Sequence, residues 1–423
     1  MRDRDGALDT WVRGLLPATP PAILLGVGST NDLSILRSFT RRRIPTLHLV
    51  SQRLVGSFSR FGGRVRMPPV QDEPEAWLQA LERLSFVLPA PAVLFPLMDE
   101  HVELVARNAE RLSGGMLRFI GPDAETLGMI IDKRRQYTTA QAAGARIPKT
   151  WYPEDAAALA SLASGLAYPV ILKPHTSYVG RPTIGNRKVL VVDDADALVA
   201  AFASCTASGV RFMIQEIVPG GDDAIFWYSG FWDEHGERAW FTVQKLRQFP
   251  TGFGDGCLQR TIEAPVVAEE SRRLLAAFRY RGLVMVELKR DPTDGAYVLM
   301  EINPRTVSGN QVGITAGVDL AWIAYRRLIG AADPAHAPSF RPDVRFVNEE
   351  WDVLAFVEAR AARQLTFATW VRSLIGTRAW GVFAWDDPGP LVVGLWRMVM
   401  RVLRGRAQVP PAAHPTSSAV PRS

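Results

Sequence analysis

Two acidic residues, Glu287 and Glu301, stand on apolar segments that alternate in step with each other. Val284, Val286 and Leu288 alternate with Met285, Glu287 and Lys289, and Val298, Met300 and Ile302 alternate with Leu299, Glu301 and Asn303. Between the segments, Asp291–Gly295 is a run of turn formers, so the pair reads as an antiparallel hairpin. A carboxylate left unpaired among apolar neighbours is costly. Oxygen ligands converging from adjacent strands suit a hard divalent cation such as Mg2+, with substrate phosphates completing its shell. The competing reading is a buried strand pair whose acids are salt-bridged to Lys289 or Arg305.

Further segments stand in a fixed order before this hairpin. Val170–Pro174 places Lys173 at the end of an apolar strand. Met213–Asp223 is another apolar strand that ends in glycines and acids. Together with Glu287, Glu301, Asn303 and Arg305, these segments resemble the ATP-grasp superfamily, in its carboxylate–amine ligase-like branch. The resemblance covers about residues 20–330 and is strongest over 165–320. It implies an α/β fold with an α+β lid: an ATP-grasp domain, an N-terminal Rossmann-like preceding domain and a C-terminal helical extension.

By position, the resemblance implies that Lys173 reaches the adenine edge and α-phosphate. Gln215, Glu216 and Val218 would form the hinge strand that reads the adenine amino group, and Asp223 would hold the ribose hydroxyls. Glu287, Glu301 and Asn303 would be the Mg2+ ligands (Mn2+ being a substitute), and Arg305 would face the acceptor substrate. Lys133 would contact phosphate from just before the lid. One segment departs from the family pattern. Where a compact glycine-rich loop is usual between two lid strands, residues 175–187 carry two glycines and a proline.

The elements that must position these residues follow from local pattern. Ala22–Gly28, a helix near 32–42 and the strand Thr46–Val50 make a β-α-β unit that opens a parallel sheet. A helix near 74–88, the strand Ala92–Pro96 and a helix near 100–112 continue it. Gly26-Val-Gly28 invites a dinucleotide fingerprint, but Asn31 stands where its third glycine is required, so a tight strand–helix turn is the better reading. Asp99, Glu100 and His101 follow a strand end and either face the cleft or cap a helix. Helices at 156–164 and 195–203 over three short strands make a small lid. Lys245, Arg247 and Arg260 lie on or near an apolar hairpin, as ligands for phosphate or an acceptor carboxylate or as a solvated strand face. Ser308–Gly313 follows the metal hairpin and offers backbone N–H groups to an acceptor pocket.

These elements divide the chain into a preceding domain (1–125), an ATP-grasp domain (126–330, with its lid at about 146–214), an extension (331–409) and a disordered tail (410–423). A 423-residue chain with 47% hydrophobic and 22% charged residues has ample material for two or three cores. Cys205 and Cys257 form no framework, and the first residues lack an apolar signal core, which together point to the cytoplasm. The net charge is +6, but residues 388–423 carry five arginines and no acid, so the remaining chain is nearly neutral. A basic tail rather than a basic stripe on a folded domain argues against nucleic acid. Residues 390–406 form a basic amphipathic helix that either docks on the body or lies peripherally on the inner face of an anionic membrane.

The chemistry that the resemblance implies is ATP-dependent ligation of small-molecule partners, a carboxylate and an amine, through an acyl phosphate, with Arg305, Lys245 and Arg260 facing the reacting groups. The alternatives are a carboxylase or carboxylate–thiol ligase of the same fold, or a nucleotide-binding module without catalysis.

Overall fold

A computed structural model describes residues 2–15, 19–331 and 339–404. The tail expected to be disordered, and most of the 331–338 linker, lie outside them. The N-terminal sheet is wholly parallel. It contains β1 (Ala22–Gly26), β2 (Thr46–Val50), β3 (Gly63–Arg66), β4 (Ala92–Pro96) and β5 (Leu117–Arg118), in the order β3-β2-β1-β4-β5. Its central strands β1 and β2 are buried along their whole length, as strands covered on both faces must be. The glycines after β1 serve an internal carboxylate. Asp32 is buried and accepts hydrogen bonds from the Gly28 N–H (2.8 Å) and lies 2.9 Å from His48 Nε2. A Cβ at Gly26 would lie 1.9 Å from Asp32 Oδ2. That carboxylate fills the turn, which agrees with the tight-turn reading rather than the dinucleotide one.

The lid is the antiparallel sheet β6 (Thr150–Trp151), β7 (Val170–Pro174), β8 (Leu190–Val192) and β9 (Phe212–Glu216), in the order β6-β9-β7-β8. Helices Ala156–Ala163 and Ala195–Thr206 cover it through Leu159, Ala163, Leu198 and Cys205. Aspartate N-caps, Asp155 and Asp194, start both helices. In place of a glycine-rich loop, residues 175–187 contain a short helix, Ser177–Gly180, and a 3-10 turn, Arg181–Ile184.

The third sheet has seven strands: β10 (Ile225–Asp233), β11 (Gly236–Phe249), β12 (Asp255–Thr261), β13 (Gly282–Arg290), β14 (Tyr297–Asn303), β15 (Arg345–Val347) and β16 (Thr377–Trp380). Their order is β14-β13-β10-β11-β12-β15-β16. One face packs Trp227, Phe241 and Met285 into a core shared with Leu24, Phe39 and Phe95 of the N-terminal unit. The other packs Tyr228, Val284, Val286 and Leu288 against Tyr137 and Leu274. Side-chain alternation along each strand separates the two faces.

The C-terminal extension supplies helices, as expected, but also β15 and β16, which prolong the central sheet. Two buried aspartates fasten it. Asp352 accepts Arg247 Nε (2.8 Å) and Trp370 Nε1 (2.7 Å). Asp387 accepts Arg37 Nε (2.9 Å), Ser59 Oγ (2.8 Å) and the Arg60 N–H (2.9 Å). Arg247 therefore docks the extension instead of reaching phosphate. The last helix, Gly389–Arg404, packs on Val55–Phe58. Among the described residues, no helix is long and apolar enough to cross a membrane.

Removing one partner of a buried ion pair leaves the other charge uncompensated, at a cost of about 3–5 kcal/mol. Asp387→Ala should therefore lower the thermal unfolding midpoint clearly, whereas removing the exposed partner of Arg41, Asp386, should not. Equal midpoints for the two variants would show that Asp387 does not fasten the extension.

Candidate active site

The hairpin read from the sequence is present, and its register sets the site. Glu287 on β13 faces Glu301 on β14 directly, with a bulge immediately after Glu287. Two carboxylates side by side repel, and both are largely withdrawn from water. Each is met by a lysine from a different element. Lys245 Nζ, from β11, lies 2.8 Å from Glu287, and Lys133 Nζ lies 3.1 Å from Glu301. Neither partner is the Lys289 or Arg305 of the competing sequence reading. Lys289 Nζ donates to the Val218 carbonyl (2.8 Å), and Arg305 Nε donates to Asp99 Oδ1 (2.7 Å).

Lys133 is held by its helix. Asp132 is the N-cap of Lys133–Ala142, accepting the N–H groups of Arg134 and Arg135, so Lys133 opens the first turn. Its own N–H donates to the His175 carbonyl (2.8 Å), tying the helix to the lid. Lys173 ends the buried run of β7, and its Nζ contacts neutral oxygens: Tyr137 Oη at 3.2 Å and the Met300 carbonyl at 3.4 Å. Burial lowers its pKa, against the raising effect of Glu301 and Glu287. For Glu301, burial acts to raise the pKa, but Lys133, Lys173, Lys188 and Arg181 together hold it well below the usual carboxylate range.

A cleft between the lid and the central sheet is lined by Lys173, Gln215, Glu216, Val218, Glu287 and Glu301 of the anticipated residues. Asn303 is buried one strand position beyond, where Arg305 Nη2 reaches its Oδ1 at 3.4 Å. Asp99 turns to Arg305 and does not cap its helix, whose N-cap is Met98. Nearby, His101 is buried against Trp77, with ring centroids 4.6 Å apart.

Three anticipated residues are placed differently. Glu216 lines the cleft, but its carboxylate accepts the Lys149 N–H (2.8 Å), so its side chain holds the β6 strap. Asp223 is exposed, and its backbone carbonyl accepts from Gln244 Nε2 (2.7 Å). Its neighbour Asp222 turns inward, accepting the Gln248 N–H (3.0 Å) and Nε2 (2.8 Å), and burial raises its pKa. Arg260 donates to Gln244 Oε1 (2.9 and 3.1 Å) and lies 3.7 Å from Asp343. Because Gln244 and Lys245 alternate along β11, Arg260 occupies the sheet face opposite Lys245 and does not join the site.

Two basic residues join that sequence reasoning missed. Arg181 and Lys188 both line the cleft, Arg181 from the segment that departs from the glycine-rich pattern and Lys188 from just after it. Lys188 pairs with Asp255, and Arg181 Nε is a buried donor with no partner among the described residues. Their signal was a cation within that segment and another directly after it. Tyr178, from the same segment, donates its hydroxyl to Glu103 of the N-terminal unit. The lid is thus tied to both flanking sheets.

Cations alone would suit an anion, and carboxylates alone would suit a metal. Interleaved as here, they suit a polyanion that brings a divalent cation with it. Among the described residues no three His, Cys, Asp or Glu side chains gather as a self-sufficient metal site. Two carboxylates and one amide oxygen are nonetheless the kind of partial shell that Mg2+ completes with phosphate oxygens and water.

The family described as ATP-grasp in the biosynthetic pathway with Ter operon matches residues 234–350, which span Lys245, Glu287, Glu301, Asn303 and Arg305. A D-aspartate ligase of Enterococcus faecium (strain Aus0004) is 25% identical over 237 residues, covering 53% of this chain. The match takes in 55% of that relative, so the chain spans about half the length of the curated relative it matches. Among solved structures, biotin carboxylase from Campylobacter jejuni superposes with a TM-score of 0.57 at 18% identity, over 77% of this chain and 74% of that one. The L-amino acid ligase from Bacillus licheniformis gives a TM-score of 0.57 at 15% identity, over 77% and 79%. These likenesses show that the chain has the ATP-grasp fold, with the family match falling on the strands that carry the opposed glutamates, β13 and β14.

Proposed function

We propose that this protein is an ATP-dependent ligase that joins a carboxylate to an amine, releasing ADP and phosphate. The observation that carries the reading is the cleft in which Glu287 and Glu301 oppose each other while Lys133, Lys173, Lys188 and Arg181 surround them. The curated relative is a D-aspartate ligase and one structural neighbour is an L-amino acid ligase, which supports an amino acid as one partner. The biotin carboxylase structure is of an ATP complex, which supports ATP as the nucleotide.

In this reading the apolar wall of Ile171, Ile217 and Met300 takes the adenine, and the backbone at residues 216–218 meets its edge. Lys173 and Arg181 take the phosphates: Lys173 Nζ contacts neutral oxygens, and Arg181 Nε is a buried donor without a partner among the described residues. Glu287, Glu301 and the Asn303 amide oxygen would hold Mg2+, which supplies charge neutralisation at the phosphates when bound. Arg305, pre-oriented by Asp99, presents its guanidinium to the acceptor carboxylate. An oxygen of that carboxylate attacks the terminal phosphorus while the bond to ADP breaks. The amine nitrogen then attacks the acyl carbon, the bond to phosphate breaks, and the amine loses a proton. Such chemistry needs positioning and charge balance more than a protein nucleophile. The contacts of the lid to Glu103, Lys133 and Asp255 exclude water that would hydrolyse the acyl phosphate.

An ATP-dependent carboxylase would share the first step with bicarbonate as the acid; the ligase relative favours an amine acceptor. Screening acid–amine pairs for phosphate release, with and without bicarbonate, separates the two. ADP formation that requires an amine supports ligation, and formation that requires bicarbonate alone overturns it.

Glu301→Gln should reduce amine-dependent ADP formation by a factor on the order of 100 or more, as loss of a preorganised charge does, with unchanged circular dichroism. Turnover like that of the unaltered protein would remove Glu301 from the site. Arg181→Ala should weaken ATP binding by about 1.5–3 kcal/mol, the range for a hydrogen bond to a charged group. An unchanged calorimetric affinity would show that its unpartnered Nε serves another purpose. The 216–218 strand should also favour ATP over GTP, and equal affinities would contradict adenine reading there.

A further inference from the structure

The C-terminal helix reverses the usual arrangement of a surface helix. Its near side is small: a Cβ at Gly389 would lie 2.5 Å from the Phe58 carbonyl oxygen, and one at Gly394 would lie 3.7 Å from Val55. Arg397 also faces the body, donating to the Arg53 carbonyl and lying 5.9 Å from the Phe58 ring centroid. The far side is apolar and open to water. Val392, Leu395, Trp396 and Val399 are 63%, 48%, 61% and 51% exposed, and their spacing places them on one helical face. Trp385, just before the helix, is 89% exposed and meets Phe383 edge-on. A neighbouring helix, Phe367–Leu374, repeats the pattern through Phe367, Val371 and the following Ile375, all exposed. Helix Glu349–Ala361 touches both.

A soluble surface rarely shows this much contiguous apolar area without a use for it. Charge identifies the occupant. Beyond Arg397, which is turned to the body, residues 398–423 carry four arginines and no acid. The acids just before the helix are already neutralised, Asp386 by Arg41 and Asp387 by Arg37. Exposed tryptophans beside an apolar stripe and a basic flank match the boundary between acyl chains and anionic headgroups. We infer that the outward face of Gly389–Arg404, with Trp385, docks this protein flat on an anionic lipid surface.

The test uses the full chain, floated with vesicles of phosphatidylcholine alone or with about one-third phosphatidylserine, a level that gives the surface a negative potential. Binding to the anionic vesicles is expected, with a blue shift of tryptophan emission. It should weaken at least ~10-fold on the neutral vesicles or in about 0.5 M salt, where surface charge is screened. Leu395→Ser with Trp396→Ser should reduce binding at least ~10-fold, because apolar insertion is lost, with no change in Tm. Failure to float with anionic vesicles overturns the proposal, as does binding that the double variant leaves intact. A lower Tm in the double variant would mean that the stripe packs within the chain. Concentration-dependent self-association abolished by the same substitutions would assign it to a second copy, and either result also overturns the proposal.

Discussion

Two carboxylates facing each other across adjacent strands are the constraint on which the rest of this structure depends. Glu287 and Glu301 cannot both be ionised in a cleft shielded from water unless cations are brought to them. The chain supplies those cations from separate places. Lys245 comes from the next hairpin, Lys133 from the start of a capped helix, and Lys173 and Lys188 from two lid strands or their ends. Each of these elements is therefore obliged to converge on β13 and β14. Buried ion pairs of this kind contribute little net stability, so their convergence is better understood as a demand of the site than of the fold.

The same electrostatic logic explains how the lid is held. Its contacts with the remainder of the molecule include polar ones, Tyr178 to Glu103, Lys188 to Asp255, Lys173 to Tyr137 and the Lys133 N–H to the His175 carbonyl, and an apolar one through Met213. Most of its apolar core is its own, with Leu159, Leu172, Leu198 and Phe212 packing among themselves while Met213 joins the core around Tyr137. A unit with its own core and polar edges can open without exposing a large apolar surface. That suits a covering which must admit a nucleotide and then exclude water. The C-terminal extension is joined in the contrary manner. Asp352 and Asp387 are buried and fully engaged, and β15 adds backbone pairing to β12. It moves with the central sheet and carries its outward apolar helix as a fixed feature of the surface.

Much of this was legible in local pattern. The largely apolar runs of β1, β2 and β4 announced a parallel sheet, and the alternation around Glu287 and Glu301 announced the antiparallel hairpin. Aspartates 132, 155 and 194 cap the helices that follow them. Glu287 and Glu301 could be named from sequence because each interrupts an apolar alternating segment, where a charged residue needs a reason, whereas Lys133 and Lys173 were named from the resemblance to the family pattern.

What the sequence could not determine was which partner each charge would find. Pairing across a sheet depends on register and on side-chain direction, and both are set by contacts between residues far apart in the chain. Lys245 reaches Glu287 while Arg260, its near neighbour on β12, turns to Gln244, because one residue of alternation separates two faces. Asp222 turns inward and Asp223 outward for a similarly local reason, fixed by the Gln248 contacts. Arg247 looked equally suited to phosphate until Asp352 arrived from 105 residues away. The apolar positions of the last helix were likewise evident from their spacing alone. Only the tertiary structure decided that its glycines and Arg397 would meet the body, leaving Trp396 and its neighbours in water, because a close approach to Phe58 admits only the side that lacks a Cβ at Gly389.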